Sequence, residues 1–122
     1  MLIPVSFSLT ANTNQEKTLG LSQRVRLVGA KICDSTGIAA DNSDYRQFEV
    51  KNGATLLLDW DTRAAHEGAL TADVSADMAS HNAGAALEFA PGDEIIVKST
   101  HAGSGKAVES MIMLEFEPSR QF

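Results

Sequence analysis

Residues 45–61 read YRQFEVKNGATLLLDWD, and this stretch decides the fold class. From Tyr45 to Lys51 the residues alternate, with Phe48 and Val50 on the inward side. A period of two sends successive side chains to opposite faces of a strand, whereas a helix needs apolar spacings of three and four. Asn52-Gly53 follows. Both residues tolerate the positive φ of a type I′ turn, so the pair predicts a hairpin. The partner strand runs from Ala54 to Asp61, with Leu56, Leu58 and Trp60 on one face and Leu57, Asp59 and Asp61 on the other. A lone hairpin is marginal in water, so this one predicts further strands to cover its apolar face.

The same alternation recurs on both sides. Upstream, Val5, Phe7 and Leu9 interleave with Ser6, Ser8 and Thr10, and the polar run Ala11 to Thr18 reads as a loop. Arg24 to Ser35 is a longer strand whose apolar phase changes, from Val25 and Leu27 to Val28, Ala30 and Ile32. Either a β-bulge near Gly29 or a strand apolar on both faces accounts for the change. Downstream, Asp34 to Gly37 starts a turn, and Thr62 to Gly68 is a loop or a single helical turn. Leu70, Ala72, Val74, Ala76 and Met78 alternate with polar residues and predict a strand. Short strands follow at Leu87 to Phe89 and at Ile95 to Ser99, then a Gly-rich turn at His101 to Lys106. The last strand, Ser110 to Glu117, turns Ile112, Leu114 and Phe116 one way and Met111, Met113, Glu115 and Glu117 the other.

Roughly eight short antiparallel strands without a sustained helix predict an all-β chain, a jelly-roll-like two-sheet β-sandwich. The chain of 122 residues, 43% hydrophobic and 21% charged, suits a single domain over 1–122. Residues 1–18 are either a docking arm or a first strand plus loop. The expected core holds Phe7, Leu27, Phe48, Leu58, Trp60, Val74, Leu87, Phe89, Ile95, Leu114 and Phe116. A net charge of −6 argues against wrapping nucleic acid, and no run of about 18 apolar residues offers a membrane span. The residues from Met1 to Leu9 lack the basic start and apolar stretch of a signal peptide. The acidic excess is concentrated in the second half, an asymmetry that either suits an oppositely charged partner surface or serves solubility alone.

Catalytic and metal motifs are weak. His66, His81 and His101 have no H-x-H or H-x-x-x-H spacing and fall in expected loops. Cys33 stands beside Asp34, which disfavours a thiolate, and reads as structural. Asp59 and Asp61 share a strand face without a recognisable third ligand, and Asp41 to Asp44 lacks the calcium-loop pattern. Gly103-Ser-Gly-Lys106 resembles part of a phosphate loop. The Walker pattern needs Gly where Thr100 stands and Ser or Thr where Ala107 stands, so the segment reads as a flexible hairpin turn. Arg24 and Arg26 form a small basic pair that Lys17, Lys31 and Lys51 can join. Met111 and Met113 lie opposite the expected core face, where a subunit interface or a covering loop of the same chain would shield them.

Three stretches taken together carry a family resemblance: LSQRVRLVGAKICDSTGIAADNSDYRQFEVKNGATLLLDWDT, GALTADVSADMASHNAGAALEFAPGDEIIVKSTHAGSGKAV and SMIMLEFEP. Their order resembles small tailed-bacteriophage virion proteins of β-sandwich type, over roughly residues 20–118. The resemblance implies a capsid decoration (cement) or head-fibre-like protein on the capsid surface of the virion. It implies no enzymatic activity, no cofactor and no metal. The implied partners are the major capsid protein and further copies of the chain, with a trimer favoured, and neither nucleic acid nor membrane. The N-terminal segment up to Thr18, with Leu2, Ile3 and Pro4 at its start, is the expected docking arm, and Met111 and Met113 are the expected oligomer seam. The competing reading is a carbohydrate- or receptor-binding β-sandwich such as a tail-fibre tip. Trp60 with Asp59 and Asp61, or Tyr45, would then hold a sugar. A cupin-like metal enzyme built on the histidines is the third.

Overall fold

The computed structural model describes residues 1–119. Among them ten strands follow one another: β1 (Leu2–Leu9), β2 (Gln15–Gly20), β3 (Val25–Asp34), β4 (Tyr45–Asn52), β5 (Thr55–Asp61), β6 (Ala76–Asp77), β7 (Ala79–Ser80), β8 (Glu88–Phe89), β9 (Glu94–Ala102) and β10 (Val108–Pro118). The only helical piece among the described residues is a 3-10 turn, Gly84–Leu87.

The β4–β5 hairpin is the middle of a nested set of antiparallel pairs. Outside it β3 pairs with β6 and β8, then β2 with β9, then β1 with β10. The chain is thus one long hairpin, rolled so that β10 comes to lie against β3 and β9 against β4. Two sheets result, β1-β10-β3-β6 with β8 also on β3, and β2-β9-β4-β5-β7. This winding is a jelly roll, an all-β solution that leaves few free edges. The space between the sheets holds the expected apolar residues, among them Phe7, Leu27, Phe48, Leu58, Phe89, Ile95, Leu114 and Phe116, all buried. Phe89 and Phe116 meet edge to face with ring centres 6.4 Å apart.

The phase change in β3 is a bulge. Gly29 pairs with Glu115 and Leu27 with Phe116, so Val28 has no partner across the ladder. Val28 therefore leaves the core and is 52% exposed, while Ala30 and Ile32 turn inward. The hairpin turn is displaced by one residue from the expected one. Asn52 pairs with Thr55, and the loop is Gly53-Ala54 with positive φ at Gly53 alone. That is the pattern of a type II′ turn, with Gly at its first central position.

Three expected segments differ more. The polar run Ala11 to Thr18 is only partly a loop, because β2 begins at Gln15. An edge strand with one wet face needs little apolar content, so its pattern is faint. Leu70 to Met78 is not one strand. Leu70 makes a single bridge to Ile38, the chain then turns with Asp73 at φ 58°, and pairing resumes only at Ala76. Val74 consequently stands 53% exposed instead of in the core. The expected N-terminal arm is a sheet strand: Leu2 to Leu9 pair residue by residue with Glu115 to Val108 of β10. Trp60 faces Phe48 across the β4–β5 ladder and packs half-buried against the core, its indole N–H donating to the Gly68 carbonyl at 3.0 Å.

Candidate functional site

Paired residues of an antiparallel ladder point to the same face. On the outside of the β1 sheet the registers give three successive rows: Leu2, Glu115 and Gly29; Pro4, Met113, Lys31 and Asp77; Ser6, Met111 and Cys33. Leu2 is 60% exposed and Met111 42%. Pro4 is exposed, and Met113 and Cys33 are half-buried. The two residue groups expected to serve separate purposes, Leu2 and Pro4 for docking and Met111 and Met113 for a seam, therefore share one patch. Ile3 does not belong to it, because it pairs with Leu114 and packs on the core side. The loop through Asp73 and Ser75 walls this face, leaving a groove of about 840 Å³ beside Met111, Met113, Lys31 and Cys33.

The rim strand β1 is protected at its free edge. Met1 exchanges two hydrogen bonds with Phe116, its ammonium donating at 2.9 Å and its carbonyl accepting at 2.8 Å. Bonded and non-bonded pairs then alternate, so Pro4 and Met113 form a non-bonded pair and the Pro4 nitrogen faces the open side. Proline costs no ladder bond there and offers none to an incoming strand. The Lys17 ammonium caps the free Ser6 carbonyl two residues on. The face of this sheet is open while its edge is blocked.

The outside of the β4 sheet is polar. Glu16, Lys98, Glu49 and Asp59 form a row across four strands, with Lys98 and Glu49 paired at 3.7 Å. His81 Nε2 lies 2.6 Å from Asp59 Oδ1. Asp61 is 1% exposed and takes a forked pair of bonds from Arg63, whose guanidinium stacks 4.5 Å from the Tyr45 ring centre. Burial alone would raise the Asp61 carboxyl, but the Arg63 bonds outweigh it and hold it below its ordinary value. Trp60 points away from this face, so the residues expected to cradle a sugar are divided between two sides of the sheet. His101 bonds Asn14 and His66 sits in the turn after β5. Among the described residues no three His, Cys, Asp or Glu side chains come together as a metal site.

One end of the sandwich carries a buried polar plug. Arg46 is fully buried and donates to four backbone carbonyls: Lys106 through Nε at 2.8 Å, Thr13 at 2.5 Å, Thr10 at 2.9 Å and Ala11 at 3.1 Å. Burial lowers its guanidinium from the ordinary value. The Gly103-Ser-Gly-Lys106 turn belongs to the same plug and is pinned, contrary to the flexible turn expected. Ser104 N–H donates to Asp44, and a Cβ at Gly105 would stand 2.4 Å from the Ala11 carbonyl oxygen. No phosphate cradle is formed, since the chain continues into β10 rather than a helix.

Asp41 braces the same end. It accepts the backbone N–H of Ser43 and Asp44 and bonds Lys106, which hold its carboxyl at about 2, against an ordinary 3.8. A carboxylate depressed in the folded state stabilises it above the unfolded value, and that contribution is lost as pH falls toward the folded one. Thermal melts should therefore weaken between about pH 4 and 2, and Asp41→Asn should flatten the decline in that interval. An unchanged acid limb in the variant would remove Asp41 from the account.

Compared with protein-family models, characterised proteins and solved structures, the chain matches none.

Proposed function

We propose that this chain is a structural protein of a tailed-phage virion that binds the capsid exterior and stabilises or decorates the shell. The observation that carries the reading is the apolar strip of Leu2, Pro4, Met111 and Met113 on the outside of a jelly roll whose other outer face is charged. A rigid β-scaffold with one sticky face suits a protein whose contacts are multiplied by lattice symmetry. The acidic surface suits the outside of a shell rather than the DNA-facing side. The partners in this reading are the major capsid protein and further copies of the chain, with a trimer favoured. A trimer joins unlike patches of neighbouring copies, so it does not require the apolar strip to meet itself.

The test is co-sedimentation with shells assembled from the major capsid protein of the same phage. The chain should pellet with shells at a saturating, lattice-fixed ratio and raise the temperature at which they open. Shells that neither retain the chain nor gain heat resistance would overturn the reading.

A further inference from the structure

We propose that the outer face of the β1 sheet docks a different protein surface, an apolar strip flanked by two cationic side chains, and not the same face of a second copy. The inference takes the partner's identity, the capsid protein, from the reading above. Its chemistry comes from β10, whose outward positions run Glu109, Met111, Met113 and Glu115. The two methionines lie between carboxylates. Lys31 is within electrostatic reach of Glu115, but its ammonium is held by Asp77 at 2.6 Å. Among the described residues neither Glu109 nor Glu115 has an ion-pair partner within bonding distance, and the Glu109 carboxylate accepts only the Ser8 hydroxyl.

Consider two such faces stacked as aligned sheets. The second β10 lies over the first either in the same direction or reversed. In one case Glu109 meets Glu109 and Glu115 meets Glu115. In the other, Glu109 meets Glu115 at both ends. Either way carboxylates are driven together in a seam that excludes water, between two chains that each carry −6. A partner with Lys or Arg at both ends of an apolar strip satisfies both carboxylates. Six residues of strand set those cations about 20 Å apart. The groove beside Met111, walled by Asp73 and Ser75, gives such a partner a place to insert an apolar side chain.

The experiment pairs light scattering of the purified chain with shell co-sedimentation, for wild type, Met111→Glu and the double variant Glu109→Lys/Glu115→Lys. All three positions are exposed, so folding should survive, and circular dichroism checks it. Neither variant should change the mass in solution. Both should weaken shell binding by about tenfold or more, wild-type binding should fall with added salt, and Glu16→Lys on the other sheet should bind like wild type. A wild-type dimer that Met111→Glu splits would overturn the inference and leave the shell reading standing. So would shell binding that survives both variants. Wild type that ignores shells would instead overturn the shell reading. A photo-cross-linker at position 111, used in lysate of infected host cells, then decides the inference. An adduct to an apolar surface bearing Lys or Arg, abolished by Glu109→Lys/Glu115→Lys, supports it. An adduct to a second copy, or none, overturns it.

Discussion

Arg46→Met should lower the thermal midpoint by roughly 10–20 °C, a loss of about 3–5 kcal/mol at this chain length. Methionine matches the stem of the side chain and keeps the packing, so the variant isolates the guanidinium. What it removes is the donor set for four carbonyls, those of Thr10, Ala11, Thr13 and Lys106. These carbonyls belong to two connections, β1 to β2 and β9 to β10; that of Thr10 also accepts the Thr13 N–H and hydroxyl, so the loss falls on Ala11, Thr13 and Lys106. An orphaned buried acceptor costs about 1–3 kcal/mol, and water entering the plug would recover part of it. Arg46→Lys should restore less than half the loss, because an ammonium lacks the planar fork that reaches both connections at once. Calorimetry on the three proteins reads both numbers. A midpoint within about 3 °C of wild type for Arg46→Met would mean that the connections do not depend on this cation.

Arg46 also shows what a sequence of this kind tells and what it hides. The alternation that exposes β4 puts Phe48 and Val50 inward, and Arg46 stands in the same phase. Asp34 is likewise in phase with Ala30 and Ile32, Ser99 with Ile95 and Val97, and Ser110 with Ile112 and Leu114. All four polar residues are buried. Parity thus marks them as inward, but a charged residue at a strand end is ordinarily given to solvent, so the signal passes as fraying. For Arg46 the three-dimensional reason is that two connections far apart in the chain, around Thr10 to Thr13 and at Lys106, close over it, and that closure leaves no local pattern.

The strands themselves were legible wherever one face is buried and the other wet, as in β1, β4 and β10. The alternation of Leu70 to Met78 misled because small residues carry it. Ala72 and Ala76 contribute little burial, and the chain follows the bridge at Leu70 into a turn instead. The candidate face was half visible. Met111 and Met113 announce themselves as apolar residues out of phase with the core. That Leu2 and Pro4 join them depends on β1 pairing with β10 across more than a hundred residues, a contact that no local motif encodes.

Asp34→Ala should destabilise the chain by about 2–4 kcal/mol, second only to the loss at Arg46. Asp34 is fully buried at the end of β3, where its Oδ1 accepts the backbone N–H and hydroxyl of Thr36, both at 3.0 Å. Its Oδ2 accepts the Glu109 N–H at 3.0 Å and the Ser110 hydroxyl. One carboxylate therefore shapes the turn out of β3 and ties it to the start of β10, one residue from the Cys33–Met111 pair of the outer face. Alanine leaves four donors without an acceptor. Asparagine keeps the volume but turns an amide NH₂ toward donors already in place, so Asp34→Asn should recover no more than half of the loss. Ser110→Ala removes one donor together with its need and should cost only about 1 kcal/mol. Combined with Asp34→Ala it should cost almost nothing further, because the hydroxyl it removes is already unpaired, so a double-mutant cycle should return a coupling of about 1 kcal/mol between the two residues. Additive losses would mean that the bond between them contributes nothing. The β3–β10 junction would then be held by Glu109 N–H and the strand ladder, and the outer face should keep its shape in Ser110→Ala.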